Sequence, residues 1–284
     1  MTLELTDKLQ RLVNIAGNAR GTRQTARLAL DCFDLTSLRG DEEKEEIYDL
    51  CDIARHNHLA SVCVYPDQIR NAKAVLKDGP VRIATVINFP TGRMRTLSDI
   101  AATPETIRLD VAEALHHGAR QIDIVLPLDY FREGTAASLN EVKAMLRACR
   151  VACGKDVTMK VIFETAAFDN AVDLRQACKI AIGQKTDCLK TSTGKHPAGG
   201  ATMEAAAILM DEAQKASHHV GCKISGGVKT NDDCARYMTL NEGIRGRNSI
   251  RPEFFRIGAS SLLDQLLPVL GTHNHLKSAP EYNY

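Results

Sequence analysis

Eight short apolar runs recur along this chain, at 31–34, 61–65, 82–88, 121–127, 158–164, 188–191, 222–226 and 254–258, and a stretch with helical spacing follows each. Several runs are nearly continuous in Val, Ile and Leu, the pattern of strands covered on both faces of a parallel sheet. Among the intervening stretches, 42–56 opens with acidic residues, which suits the positive end of a helix dipole. Thr103-Pro104-Glu105 offers a cap residue followed by proline at the first helical position. The stretches 136–152 and 203–217 are rich in strong helix formers, and Asn231-Asp232-Asp233 opens the penultimate helix. Strict alternation requires crossovers that leave the strands parallel. Eight such units in 284 residues predict a closed α/β structure, a single (β/α)8 TIM barrel, rather than an open doubly wound sheet. No Gly-x-Gly-x-x-Gly follows the first run, which argues against a dinucleotide-binding sheet. The expected organisation is a helical extension at 1–30, the barrel at 31–270 and a mobile tail at 271–284 that lacks apolar periodicity.

Composition narrows the partners. A net charge of +1, no tryptophan and 5% aromatic residues give no electrostatic or stacking case for nucleic acid. No apolar run approaches the roughly 18 residues of a membrane helix, and residues 1–20 lack the pattern of a secretory leader. Nine scattered cysteines without a C-x-x-C pair suit reduced thiols in a cytoplasmic protein. The adjacent histidines at 56 and 58, 116–117 and 218–219 point in divergent directions, so no metal is expected.

Chemistry enters where charge interrupts these runs. Lysine is costly to bury unless paired or employed, yet Lys190 ends the sixth run and Lys223 sits inside the seventh. An isolated lysine there would ordinarily extend its ammonium to solvent. Two on neighbouring strands at the carboxyl rim of a barrel instead repel each other. At about 4 Å and an effective dielectric near 20, the repulsion is about 4 kcal/mol, enough to bring one amine from about 10.4 towards 7. A neutral amine is what imine formation with a carbonyl requires. Asp123, alone among the apolar residues of the fourth run, is placed to pass protons beside the pair. Gly194-Lys195, Gly226-Gly227 and Gly258-Ala259-Ser260-Ser261 follow runs six, seven and eight, the usual phosphate seat of such barrels.

The strings that carry these residues resemble the deoxyribose-phosphate aldolase family of class I aldolases. They include Phe-Asp-Leu-Thr-Ser-Leu at 33–38, Asn-Phe-Pro-Thr-Gly at 88–92, Lys-Val-Ile-Phe-Glu-Thr at 160–165 and Cys-Leu-Lys-Thr-Ser-Thr-Gly-Lys at 188–195. Gly-Cys-Lys-Ile-Ser-Gly-Gly-Val-Lys at 221–229 and Arg-Ile-Gly-Ala-Ser-Ser at 256–261 complete the match, which spans most of 31–270. The resemblance implies reversible cleavage of 2-deoxy-D-ribose 5-phosphate to D-glyceraldehyde 3-phosphate and acetaldehyde, in deoxynucleoside catabolism. It implies Lys190 as the Schiff-base lysine, Lys223 as the neighbour that lowers its pKa, and Asp123 as proton donor and acceptor. Gly194, Lys195, Gly226, Gly227, Ser260 and Ser261 match phosphate-binding positions. Asp34 and Thr193 match substrate-binding positions, Asp34 either touching hydroxyls or orienting the lysines. No cofactor or metal is implied, and a homo-oligomer, with a dimer favoured, is expected. Phe163 and Ile224 are bulkier than expected, which leaves the pocket shape open. The ring of Tyr284 is expected to fold over the barrel mouth. An isomerase or another class I aldolase acting on a phosphosugar, and a barrel that only binds a phosphorylated ligand, stay open at this point.

Overall fold

The computed structural model describes residues 3–272. Helices α1 (Asp7–Gly17) and α2 (Arg23–Asp31) precede strand β1 (Phe33–Thr36), helix α3 (Lys44–His56), β2 (Ser61–Val64), α4 (Ile69–Leu76) and β3 (Arg82–Ile87). Next come α5 (Pro104–His117), β4 (Gln121–Val125), α6 (Leu128–Glu133), α7 (Ala136–Cys153), β5 (Thr158–Ile162) and α8 (Ala171–Gly183). The chain then forms β6 (Cys188–Lys190), α9 (Met203–Gln214), β7 (Gly221–Ser225), α10 (Asn231–Arg245), β8 (Phe255–Ala259) and α11 (Leu263–Leu270). Each strand pairs in parallel with the next, and β8 pairs with β1, closing the expected eight-stranded barrel.

Local signals explain most boundaries. Thr103 caps α5 by accepting from the Thr106 amide, with Pro104 at the first position. Thr22, Thr202 and Thr230 cap α2, α9 and α10 in the same way. The first strand begins at Phe33 rather than at residue 31, because Asp31 closes α2 and Cys32 is its cap. Helix α6 was not anticipated: at six residues it is too short for an apolar period to register.

The expected N-terminal extension is seated on the barrel wall. Helix α1 packs on α9 and α10, and α2 packs on α10 and α11. The Gly21 amide donates to Asp232 at 2.7 Å, and Arg23 donates to the Leu270 carbonyl at 3.0 Å. Of the expected tail, only Gly271 and Thr272 are described; Tyr284 and its proposed closure lie outside the described residues. Among the described residues no helix is long and apolar enough to cross a membrane.

Side chains alternate between two environments along each strand. Outward residues such as Ile122, Ile124, Val161 and Leu189 join the main core under the helices, and so do Phe163 and Ile224. Those two bulky residues therefore pack behind the barrel and leave the pocket's shape alone. Inward, Cys63, Ala84, Val86, Val125 and Ile162 form a smaller apolar cluster with Leu38, Tyr65 and Phe89. The rest of the interior is ionic, and the strand register sets its layout. Lys190 is opposite Lys223, and Asp123 is opposite Lys160.

Candidate active site

Asp123 is the hub of this interior. Its Oδ2 lies 3.0 Å from Lys190 Nζ and 3.0 Å from Lys223 Nζ, while Oδ1 accepts from Lys160 Nζ at 2.6 Å. Asp34 forms a second hub one layer away. Its Oδ2 is 2.7 Å from Lys223 Nζ, and its Oδ1 accepts from Arg256 Nε at 2.8 Å and also from Arg256 Nη2. Arg256 Nη2 reaches on to Ser61 Oγ at 3.2 Å and Gln121 Oε1 at 3.3 Å. All six charged groups are buried, so each depends on its partners to offset desolvation.

The two lysines fare differently. Burial is the main force holding the Lys190 amine below its ordinary value; Asp123 opposes that, and repulsion from Lys223 reinforces it. Repulsion, which sequence reasoning made the principal cause, thus comes second to burial. Burial also pulls on Lys223, but Asp123 and Asp34 together override it and raise its pKa, so Lys223 is a fixed cation. Burial pushes the Asp123 carboxyl up, and Lys160, Lys190 and Lys223 outweigh it and hold the group well below the carboxylate range. The result is a carboxylate, a fixed ammonium and an amine held below its ordinary pKa, all meeting at one oxygen.

Lys190 opens onto a cavity of about 510 Å³ at the carboxyl ends of the strands. Thr193, Gly194, Gly226, Gly227, Ser260 and Ser261 line it, as expected from the sequence. Lys195 does not line it. Its amide donates to Thr193 Oγ1 at 3.0 Å, and its ammonium lies in the field of Glu42 and Asp41. Asp34, fully buried beneath Lys223, is also outside the cavity. Its contact with Lys223 Nζ, at 2.7 Å, is the kind that orienting the lysines, one of its two implied parts, requires.

Several members of the site escaped sequence reading. Lys160 and Arg256 carry the same signal that marked Lys190 and Lys223, a cation inside an apolar strand, and could have been found by it. Lys229 and His196 line the cavity from loops, where no pattern distinguishes them. Glu164, two residues beyond β5, adopts a left-handed backbone conformation, φ 54°, and its carboxylate accepts from the Thr193 amide at 3.1 Å and from the Thr193 hydroxyl. Among the described residues no group of three or more His, Cys, Asp or Glu is placed to hold a metal ion.

Gly258 makes this arrangement possible. A Cβ there would sit 2.7 Å from Lys223 Cε and 3.3 Å from Ser225 Cβ, both fixed by packing. Gly258→Ala is therefore expected to displace the Lys223 ammonium from Asp123 and to cut kcat by about tenfold or more, with KM less affected. Steady-state kinetics on the variant check it; unchanged kcat would show that Lys223 can yield without loss.

Comparison with known proteins agrees with this geometry. The profile of the DeoC/LacD family aldolases matches residues 28–264. A deoxyribose-phosphate aldolase of Agrobacterium fabrum (strain C58) is 38% identical over 263 residues, which is 92% of this chain and 97% of the relative. Among solved structures, a tetrameric deoxyribose phosphate aldolase of Aeropyrum pernix superposes with a TM-score of 0.67 at 22% identity, covering 92% of this chain and 95% of its own. A Toxoplasma gondii ME49 protein, solved under a provisional name of the same kind, gives a TM-score of 0.78 at 22% identity, covering 89% of this chain and 96% of its own. The two structures establish the shared fold, and the family match with the 38% relative establishes the lineage. The chain belongs to the DeoC/LacD family of aldolases.

Proposed function

We propose that this protein is a class I aldolase that reversibly cleaves 2-deoxy-D-ribose 5-phosphate to D-glyceraldehyde 3-phosphate and acetaldehyde. The observation that carries this reading is Lys190: a buried amine at the cavity floor, held below its ordinary pKa and 3.0 Å from the Asp123 carboxylate. The neutral amine attacks C1 of the open-chain sugar. Asp123 relays the protons as the carbinolamine loses water and becomes an iminium. The iminium withdraws electrons from C2, so the C2–C3 bond breaks as the C3 hydroxyl loses its proton. Glyceraldehyde 3-phosphate leaves, the enamine is protonated at C2, and hydrolysis frees acetaldehyde and Lys190.

Phosphate would be seated among Gly194, Gly226, Gly227, Ser260 and Ser261, with Lys229 on the same wall supplying charge. Lys195 supports that seat from behind by holding Thr193 in place. Binding energy from the phosphate orients carbons that lie away from it. The chain acts as a cytoplasmic homo-oligomer in this reading. A dimer is the assembly we propose, and sedimentation at micromolar concentration distinguishes it from the tetramer reported for the Aeropyrum pernix relative.

The decisive experiment is reductive trapping. Borohydride added with acetaldehyde is expected to leave a two-carbon adduct on Lys190, located by peptide mass mapping, with loss of activity in step with labelling. Activity on 2-deoxyribose 5-phosphate with Lys190 unmodified would favour a mechanism without an imine and overturn the reading.

A further inference from the structure

The ionic interior reaches the opposite end of the barrel. Gln121, Thr158 and Cys188, the first residues of β4, β5 and β6, surround a cavity of about 340 Å³ with Lys160 and Arg256 at its floor. This cavity is separate from the mouth that holds Lys190, and no lining residue is common to the two. Gln121 and Arg256 retain 5% and 7% of their surface. Arg256 uses Nε and Nη2 for Asp34, Ser61 and Gln121, and its Nη1 donates to nothing among the described residues. Gln121 accepts through Oε1, and its Nε2 likewise donates to no described residue. The floor thus offers two donors the protein does not use, on side chains more than nine-tenths buried, and neither nitrogen is sealed from the cavity. An anion entering the cavity would meet both, and a hydrogen bond from a guanidinium to an anion is among the strong ones.

Charge balance points the same way. Two carboxylates, Asp34 and Asp123, face three cations, Lys160, Lys223 and Arg256, even when Lys190 is neutral. Protonating Lys190, or converting it to an iminium, adds another positive charge. The acidic residues at this end do not cancel the excess at the floor. Asp187 is already engaged by Arg150 at 2.6 Å, and Asp156 and Glu253 stand exposed at the rim, screened by solvent and matched in part by Lys155.

We infer that the cavity at the base of the barrel is a binding site for a small inorganic anion, held by Arg256 Nη1 and Gln121 Nε2, and that its occupancy tunes the charge felt by Lys190. The site rests on the geometry of this cavity, and only its kinetic effect rests on the aldolase reading. An anion there partly offsets the excess cation charge. The groups that face Lys190 are Asp123, Lys223, Cys63 and Glu164, none of which lines the cavity; Lys160, which does, meets Lys190 through Asp123. The anion therefore acts through Lys160 and through the Arg256–Asp34–Lys223 chain. It favours protonated Lys190, so the acid limb of kcat/KM moves to higher pH.

Bromide is the probe. Crystals soaked in bromide are expected to show an anomalous peak within hydrogen-bonding reach of Arg256 at the base. In solution, bromide at constant ionic strength, balanced by a bulky organic sulfonate, is expected to move the acid limb up by about one pH unit, as for a unit charge about 10 Å away at an effective dielectric near 20. Gln121→Glu supplies the negative charge covalently and keeps the acceptor for Arg256. This variant should lose the anomalous peak and show the raised limb without bromide. A peak confined to the mouth, or a Gln121→Glu profile that coincides with the wild type, would overturn the inference. The anomalous peak reads the site whether or not Lys190 forms an imine, so its failure is distinguishable from failure of the aldolase reading.

Discussion

Replacing Asp123 by asparagine is expected to lower kcat by about a thousandfold and the stability by about 3 kcal/mol, a pair of losses that a second substitution separates. The carboxylate holds Lys160 through Oδ1 and both Lys190 and Lys223 through Oδ2. An amide of the same shape leaves three buried amino groups with one anionic neighbour, Asp34, already shared with Arg256. It also cannot take a proton at any step of imine formation. Adding Lys160→Met removes the cation that sits 2.6 Å from Asp123 Oδ1. The double variant should recover much of the lost stability and none of the lost turnover. Urea denaturation and steady-state kinetics on the single and double variants test both. A kcat within tenfold of wild type in Asp123→Asn would remove Asp123 from the proton path.

The fold was legible because its signal is redundant. Eight apolar runs, each too buried to tolerate charge at random, recur in one order; alternation calls for parallel pairing, and the count of eight for closure. The same logic exposed Lys190, Lys223 and Asp123: a charge inside such a run needs a reason. What stayed hidden was the bookkeeping of partners across the barrel. Lys160 and Arg256 lie in the same kind of run, but nothing in one dimension tells which carboxylate each will meet. The register decides it, by placing Asp123 opposite Lys160 and Asp34 opposite Gly258, whose missing side chain leaves room for Lys223. The cause of the Lys190 pKa was misjudged for a related reason. Repulsion between two lysines can be argued from their spacing, whereas burial depends on everything packed around them. Loop residues such as Lys229 and His196 have no periodicity to betray them, and only the closed barrel brings them to its mouth.

Lys223→Met is expected to move the acid limb of kcat/KM upward by about one to two pH units, and so to separate burial from repulsion at Lys190. The sign follows from which form reacts. Only neutral Lys190 attacks the sugar, so activity rises as pH climbs through its pKa, and a higher pKa carries the limb with it. Removing the Lys223 charge takes away the repulsion that helps to discharge Lys190, while the attraction of Asp123 remains. On the acid side of the profile the variant should lose about ten- to a hundredfold in kcat/KM and regain most of it in alkali. The variant should also fold, since Asp34 keeps Arg256 and Asp123 keeps Lys160, an even match of charges in the interior. Methionine fills the space of the lysine stem, so the packing of β7 against Gly258 is retained. A limb in its wild-type position would mean that burial alone prepares the amine and that Lys223 serves only to hold Asp34 and Asp123 in place. A uniform loss at every pH, with no recovery in alkali, would instead assign Lys223 to the chemical steps after the imine has formed.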